Sequence, residues 1–287
     1  MSTDIDNQNT TDQKPELWDP KPLFVSDLFK DQVIIITGGA LGGIGSATAL
    51  QLSKLSPKGI AICGRRVEPL EKTAELLKKE SPNVEVYFAT CDIRDNNSVE
   101  TFVKNVLSKF GQIDVLINNA GGQYPQPAEF LTEKGFTAVV RNNLIGTFLM
   151  TSACARLAFI PQKRGRVVNV IAQIARGFPG MAHTGAARAG VDNLTKSLAI
   201  EWAPYNIKVN SVAPGVVLST GTARYPPELL AKSRQATPLQ RFASVGEIGH
   251  LILYLSSERA AGFVTGQTYY IDGGHSLSGD IFNSKPS

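Results

Sequence analysis

Seven short apolar runs, each separated from the next by an amphipathic stretch, constrain the fold of this chain more than any other feature. The runs are rich in Val and Ile. They lie at Val33–Ile36, Ile60–Cys63, Val84–Cys91, Ile113–Asn118, Arg166–Ile171, Lys208–Ala213 and Thr268–Ile271. The amphipathic stretches lie at about 46–55, 68–80, 97–110, 133–160, 182–203 and 245–256. Strands that are apolar throughout and alternate with helices predict a parallel sheet covered on both faces.

The alternation continues without a repeat or a shift in composition, so it indicates one domain rather than two. A chain of 287 residues is long enough to bury a large single core. We therefore predict an α/β fold: a single doubly wound Rossmann-type domain with a seven-stranded parallel sheet, over residues 26–287. Residues 1–25 are polar and contain proline, which predicts a disordered N-terminal extension.

Composition excludes several classes of function. Apolar residues make up 43% of the chain, but no apolar run approaches the ~20 residues that span a bilayer, so we expect no membrane span. The three cysteines are odd in number and lie in apolar segments, which predicts free thiols in a reducing, cytoplasmic compartment. The three histidines have no metal-ligand spacing, so no metal is expected. Without a dense basic stripe, nucleic-acid binding is not expected either.

A glycine-rich segment follows the first strand directly and precedes a helix. It reads Thr37-Gly-Gly-Ala-Leu-Gly-Gly-Ile-Gly45. Glycines allow close approach to a pyrophosphate, and the N-terminus of the following helix directs N–H groups at it. The segment predicts a dinucleotide site, with a glycine-rich structural turn as the alternative. The residues expected to bind the cofactor here are Thr37, Gly39, Gly43, Ile44 and Gly45.

The ends of the next three strands extend the predicted nucleotide site. Arg65 and Arg66 follow the second strand, where an NAD site usually has an acid. Two arginines suit a 2′-phosphate and favour NADP(H), unless they are only solvated residues at a helix start. Further candidates at the ends of the third and fourth strands are Asp92, Ile93, Asn119, Ala120 and Gly121.

Together these motifs closely resemble the short-chain dehydrogenase/reductase family. The matching segments are 37–45, Asp92, 118–121, 143–146, Pro214-Gly215 and 272–274, and the resemblance covers about 31–276. It implies that Pro214, Gly215 and Val217 also contact the cofactor, that Arg188 holds the nicotinamide ribose, and that the protein is a homotetramer.

The resemblance fails at part of the family's usual catalytic set of Asn, Ser, Tyr and Lys. Asn143 matches, but the Ser position falls on Ile171 or Ala172. The Tyr position is Thr184 and the Lys position is Arg188. Carbonyl reduction needs an acid against the carbonyl oxygen, and a threonine hydroxyl is too weak an acid. Ordinary ketone reduction is therefore disfavoured.

Residues 183–191, 193–199 and 118–123 resemble one branch of that family, the peroxisomal-type trans-2-enoyl-CoA and 2,4-dienoyl-CoA reductases. This implies an NADPH-dependent reductase of the C=C bond in an acyl-CoA thioester. Two alternatives stay open. The first is a citronellol-type dehydrogenase, because such enzymes are similar to this chain in segments 183–191 and 118–123. The second is an inactive family member that binds NADP but catalyses no reaction.

The missing phenol raises the question of which group supplies a proton. Thr184, Arg188 and Asp192 are spaced i, i+4, i+8, so a helix would align them on one face. On that face Arg188 and Asp192 can pair directly. Asp192 is then a candidate acid or an anchor for an acidic water, with neutralisation of Arg188 as its alternative. Tyr124, in the loop 122–127, is the other candidate, with loop packing as its alternative. The catalytic candidates are therefore Asn143, Arg188, Asp192 and Tyr124. Segment 214–236, which we call the lid, is expected to be a mobile cover over an acyl chain.

Overall fold

The seven predicted strands form one parallel sheet in a computed structural model that describes residues 25–222 and 225–277. The strand order is β3-β2-β1-β4-β5-β6-β9, which confirms the doubly wound fold. The strands are β1 Val33–Thr37, β2 Gly59–Gly64, β3 Glu85–Thr90, β4 Val115–Asn118, β5 Gly165–Val170, β6 Ile207–Pro214, β7 Val217–Leu218, β8 Ala243–Ser244 and β9 Thr268–Ile271. The order reverses between β1 and β4, the place where such sheets open a crevice for a ligand.

Helices cover both faces of the sheet. They are α1 Ile44–Ser53, α2 Val67–Glu80, α3 Asn96–Phe110, α4 Glu133–Val140, α5 Gly146–Cys154, α6 Ile160–Gln162, α7 Ala182–Glu201, α8 Pro227–Gln235, α9 Val245–Ser256 and α10 Glu258–Ala261. Helix α9 begins at a capping box, in which the Ser244 hydroxyl accepts from the Glu247 N–H and the Glu247 carboxylate accepts from the Ser244 N–H.

Alternate residues of each strand feed two separate cores. In β1, Val33 and Ile35 join the core beneath α3, α5 and α7, whereas Ile34 and Ile36 join the core beneath α1 and α9. This explains why the strands are apolar throughout: both of their faces are buried. Cys63, Cys91 and Cys154 are free and buried, as predicted.

The predicted helix 133–160 is a longer run, Glu133–Gln162, interrupted by two π-helical segments. The first, Arg141–Ile145, contains Asn143. In the described part of the chain this run alone has the length and hydropathy of a membrane-spanning helix, but half of its most apolar window is buried in the protein. A core helix has the same properties, so they are weak evidence for a span.

Structure inside the lid was not predicted from sequence. After β6, the strand β7 pairs in parallel with β8, and α8 lies between them. The predicted disordered extension 1–25 lies outside the described residues except for Val25, which packs against the core beneath α1 and α9. Residues 278–287 of the predicted domain also lie outside them.

Candidate active site

A cleft of about 420 Å³ opens at the carboxyl ends of the central strands. Its walls come from the glycine segment, from the ends of β2 and β3, and from the segment that follows β4. Six of the residues predicted from sequence to bind the cofactor line it: Arg65, Arg66, Asp92, Ile93, Ala120 and Gly121. The structure thus brings segments from four strands to the reversal point of the sheet.

The backbone of the glycine segment 37–45 packs so closely against its neighbours that Gly39 and Gly45 have no room for a side chain. A Cβ added to Gly45 would lie 2.5 Å from the Gly38 carbonyl oxygen, and one added to Gly39 would lie 2.7 Å from the Ile62 Cβ. Gly43 is the N-cap of α1 and faces open space, with only the Ala40 carbonyl oxygen within 4 Å. Ile44 is the first residue of α1. This arrangement leaves the helix N-terminus open to an anion.

Thr37 and Asn119, both predicted cofactor ligands, join the ends of two strands. The Thr37 hydroxyl accepts hydrogen bonds from the backbone N–H groups of Asn119 and Ala120, and the Asn119 side chain donates to the carbonyls of Thr37 and Gly38. Thr37 is buried. These bonds fix the ends of β1 and β4 against each other, and contact of the two residues with a cofactor stays a prediction.

Asp92 keeps its place in the cleft but has a partner that the sequence did not indicate. Arg94 donates to both carboxylate oxygens of Asp92, at 2.8 and 2.6 Å. These hydrogen bonds lower the pKa of Asp92 to about 2. The pattern Asp-x-Arg at a strand end was the available signal, since a guanidinium two residues away can form a bidentate pair.

Pro214, Gly215 and Val217 lie at the same edge of the sheet. Pro214 ends β6, and the Gly215 N–H donates to the Ile271 carbonyl at the end of β9. A Cβ on Gly215 would lie 2.9 Å from the Asp272 Cα, so only glycine fits this crossing. Val217 is buried in β7. The predicted placement beside the cleft agrees with the structure, whereas their contact with a cofactor stays a prediction.

Arg188 and Asn143 meet at Gly121. A Cβ on Gly121 would lie 2.3 Å from the Arg188 Nη2 and 2.6 Å from the Asn143 Oδ1. Asn143 is held on both sides: its Oδ1 accepts from the Gly122 N–H at 3.0 Å and its Nδ2 donates to the Gly122 carbonyl at 2.8 Å. The two predicted catalytic residues are therefore neighbours, although 45 positions separate them in the sequence.

Arg188 is a buried cation that has no acidic partner among residues 25–222 and 225–277. Only 7% of the residue is exposed, and its Nη1 donates to the Val170 carbonyl at 3.0 Å. Its Nε is buried with no hydrogen-bond partner in the described part of the chain. Burial lowers the pKa of Arg188 to about 10. A site of this kind attracts an electron-rich group, because the field of an unpaired buried charge is poorly screened.

The expected ion pair between Arg188 and Asp192 is wrong. Asp192 accepts instead from Lys196, at 2.6 Å, and from the hydroxyl of Thr268 on β9. Partial burial opposes its ionisation, but these two hydrogen bonds prevail and lower the pKa of Asp192. Eight residues cover more than two helical turns, so Asp192 does not lie directly above Thr184. It lies farther around the helix, on the side toward β9. An acid held in this form is ionised at neutral pH and is a poor proton donor.

Tyr124 is also directed away from the Arg188 and Asn143 pair. Its hydroxyl lies against Gly135 in α4, where an added Cβ would be 2.2 Å away. Gly135 precedes Asn143 by eight residues, or roughly 12 Å along a helix. The Tyr124 ring stacks edge-on against the buried His183, with 4.7 Å between ring centroids. The structure favours the packing alternative for Tyr124, and His183 has that role as well.

The Ser and Tyr positions of the family hold no acid in the structure either. Ile171 packs in an apolar cluster with Val191 and Ala213. Thr184 is buried, and its hydroxyl lies 3.4 Å from the His183 Nδ1. The cleft therefore combines a cation and an amide with no acidic side chain at the usual two positions.

Comparison with known proteins agrees with this geometry. The family model described as enoyl-(acyl carrier protein) reductase, a short-chain dehydrogenase/reductase model, matches residues 39–276. The chain belongs to the short-chain dehydrogenase/reductase family. It is 35% identical to a probable 2,4-dienoyl-CoA reductase of Bacillus subtilis, over 86% of this chain and 97% of that protein. It is 34% identical to a 3-oxoacyl-[acyl-carrier-protein] reductase of Synechocystis, over 85% of this chain and 96% of that protein.

Among solved structures, the citronellol catabolism dehydrogenase of Pseudomonas aeruginosa aligns with a TM-score of 0.78 and 38% identity, over 88% of this chain and 98% of that one. The chain is thus an oxidoreductase of a family that uses a nicotinamide cofactor. The residues present fit such a group. The glycine crossings leave room that a Cβ would fill, and the open N-terminus of α1 suits an anionic group. The contact of Arg188 with the nicotinamide ribose stays a prediction.

Proposed function

We propose that this protein is an NADPH-dependent reductase of the C=C bond in trans-2-enoyl-CoA or 2,4-dienoyl-CoA thioesters. The observation that carries the proposal is the buried, unpaired Arg188 beside Asn143, with Thr184 and Ile171 or Ala172 at the positions of the usual acids. Reduction of a conjugated thioester places negative charge on its carbonyl oxygen. That charge must be stabilised, but the oxygen need not be protonated.

Each side chain at the reactive end of the cleft has a separate role in this reaction. When bound, the nicotinamide cofactor supplies the hydride that the β-carbon receives. Arg188 stabilises the enolate oxygen that develops on the thioester, and Asn143, fixed by two hydrogen bonds to Gly122, adds an oriented amide. Gly121 keeps the approach open, because any side chain there would displace both groups. A proton must then reach the α-carbon, or a more distant carbon of a dienoyl substrate.

A second candidate is oxidation of a terpenoid or fatty alcohol, favoured by the 38% identity to the citronellol catabolism dehydrogenase. Alcohol oxidation needs a base at the hydroxyl, and the geometry places none at position 184. Reduction of a 3-oxoacyl group, suggested by the Synechocystis relative, meets the same objection. Of the three reactions, reduction of the C=C bond is the one that does not require the missing acid at position 184.

A panel of substrates tests the proposal with the wild-type protein. We expect oxidation of NADPH with trans-2-enoyl-CoA or 2,4-dienoyl-CoA, measured as the loss of absorbance of the reduced nicotinamide. The same samples are tested with 3-oxoacyl-CoA and, in the reverse direction, with citronellol and NADP. Turnover of citronellol but of no thioester would establish the second candidate. NADPH binding without turnover of either would establish an inactive member.

We also propose NADP(H) rather than NAD(H) as the cofactor. Arg65 and Arg66 are exposed at the end of β2 and line the cleft. Two acids that interact with them, Glu68 and Asp92, form their ion pairs with Lys72 and Arg94 instead. The two guanidinium groups are therefore left for a 2′-phosphate, which arginine binds in bidentate fashion.

Removing both guanidinium groups is expected to act on one cofactor only. The double variant Arg65→Ala/Arg66→Ala should raise KM for NADPH by about 10- to 100-fold, the effect of losing a charge-assisted hydrogen bond or two. KM for NADH should change by less than about threefold. Lys72→Ala is the matched control, since it removes a nearby positive charge that already has a partner. An equal loss with both cofactors would contradict NADP(H) selectivity.

A homotetramer is the assembly that we infer from the family resemblance. Exposed apolar side chains support it on two separate surfaces. Phe136 and Phe148 are exposed on α4 and α5, and Ile200, Phe263 and Tyr270 are exposed around the end of α7 and β9. Two apolar surfaces on one chain are what an assembly with two kinds of contact requires.

A further inference from the structure

Two hydrogen bonds join the described part of the lid to segments that border the cleft. The Thr220 N–H donates to the Gly42 carbonyl at 3.1 Å, which ties the lid to the glycine segment. Farther along, the Tyr225 hydroxyl accepts from the Nε2 of Gln123 at 3.1 Å. The second attachment joins the lid to the loop after β4. Tyr225 is half-buried, and α8 begins two residues after it.

The second attachment brings a phenol to the loop that also carries the contacts of Asn143. Gln123 follows Gly122, whose N–H and carbonyl are both bound by Asn143, and Gly121 lies against Arg188. The side chains of Gln123 and Tyr124 diverge from this point. Gln123 reaches the lid, whereas Tyr124 reaches α4 and His183. Of the two phenols near this loop, only that of Tyr225 is bound next to the Asn143 clamp.

The direction of the hydrogen bond suits a proton donor. Because Gln123 donates to the Tyr225 oxygen, the phenolic proton of Tyr225 is not used in that bond and stays available to a substrate. The same amide stabilises the phenolate that forms when the proton leaves. A glutamine is therefore a suitable support for a phenol that gives up its proton.

We propose that Tyr225 is the catalytic acid of this enzyme, delivered by the lid in place of the missing phenol at position 184. The proposal rests on the proposed reduction of a conjugated thioester. After the β-carbon has accepted hydride, the C=C electron pair of the enolate forms a new C–H bond between the α-carbon and the Tyr225 proton. The O–H bond of Tyr225 breaks, its electron pair stays on the phenolate, and water returns the proton. For a dienoyl substrate the same proton goes to the conjugated carbon that lies beneath the phenol.

The test compares Tyr225→Phe with the wild type in D₂O, using trans-2-enoyl-CoA and NADPH. We expect kcat to fall roughly 100-fold, within the usual range for loss of a general acid. KM for the thioester and Kd for NADPH should stay within about threefold. The wild type should place deuterium on one face of the α-carbon, and the variant should place it on both. Gln123→Leu should lower kcat by roughly tenfold, because it removes the support but not the acid.

Two further variants and the wild type separate the possible outcomes. Tyr205→Phe, at an exposed tyrosine beyond the end of α7, is the control for loss of a hydroxyl away from the cleft. A Tyr225→Phe enzyme with wild-type kcat and one-face deuteration would overturn the role of Tyr225 and leave the proposed function standing. A loss confined to Tyr124→Phe would return the role to Tyr124. A wild type without thioester reductase activity would overturn both proposals.

Discussion

Replacing Arg188 with methionine is expected to lower kcat/KM for a trans-2-enoyl-CoA by roughly 1000-fold. Loss of one preorganised group that stabilises a developing oxyanion typically costs a factor of about 100 to 1000. Arg188 is at the upper end of that range because it is buried, has no acidic partner in the described part of the chain and adjoins Asn143. The measurement is steady-state kinetics with NADPH, together with Kd for NADPH by fluorescence.

The same substitution is expected to stabilise the protein. Burial lowers the pKa of Arg188 to about 10, which corresponds to a penalty of about 3 kcal/mol for the charged form. Methionine removes that penalty but leaves the Val170 carbonyl without its donor, at a cost of about 1–3 kcal/mol. The net gain of about 1 kcal/mol should raise Tm by about 3 °C. A clear fall in Tm would show that Arg188 serves the fold rather than the chemistry.

The pH profile gives an independent check on Arg188. The folded pKa lies below that of the free side chain, so the folded protein loses this proton first as the pH rises. Activity should therefore decline as the pH rises through about 10. Arg188→Lys keeps the charge, but an amine has a lower intrinsic pKa and is lowered further by burial, so its decline should begin at lower pH. A profile that is the same in both enzymes would exclude this residue as its origin.

Gly121→Ala is expected to lower kcat/KM by roughly 100-fold without unfolding the protein. The added Cβ would lie 2.3 Å from the Arg188 Nη2 and 2.6 Å from the Asn143 Oδ1. Both side chains are anchored elsewhere, to Val170 and to Gly122, so they must separate by about an ångström. Displacements of that size at a reacting centre commonly cost about 100-fold in rate.

Gly246→Ala is the matched control for that substitution. Gly246 lies in the first turn of α9, and the nearest atom to its added Cβ is the Gln51 Nε2 at 3.5 Å, an ordinary contact. We expect wild-type kinetics and an unchanged or slightly raised Tm, since alanine favours a helix. Rates in Gly121→Ala within about threefold of the wild type would mean that the Arg188 and Asn143 pair does not form the reactive end of the cleft.

The two proton donors predicted from sequence, Asp192 and Tyr124, have side chains that point elsewhere in the structure. The i, i+4, i+8 spacing correctly placed Thr184 and Arg188 in one helix, but the last step rotates Asp192 toward Thr268, which lies 76 residues away. Tyr124 has the right chemistry and lies in the right loop, yet its hydroxyl is turned toward α4. Both errors concern side-chain direction, which depends on neighbours that packing alone brings close.

The sequence by itself determined the parallel sheet, the glycine crossings, the cofactor edge and the absence of the usual Ser and Tyr. Each of these follows from a local pattern in the sequence: strand periodicity, glycine spacing or the identity of one residue. Only the tertiary structure decided the partners of the charged and phenolic groups. Asp192 meets Thr268, Arg188 has no acidic partner among the described residues, and Tyr225 meets Gln123 across 102 positions. Such contacts depend on how the lid and helices pack over the sheet, and no local pattern contains that information.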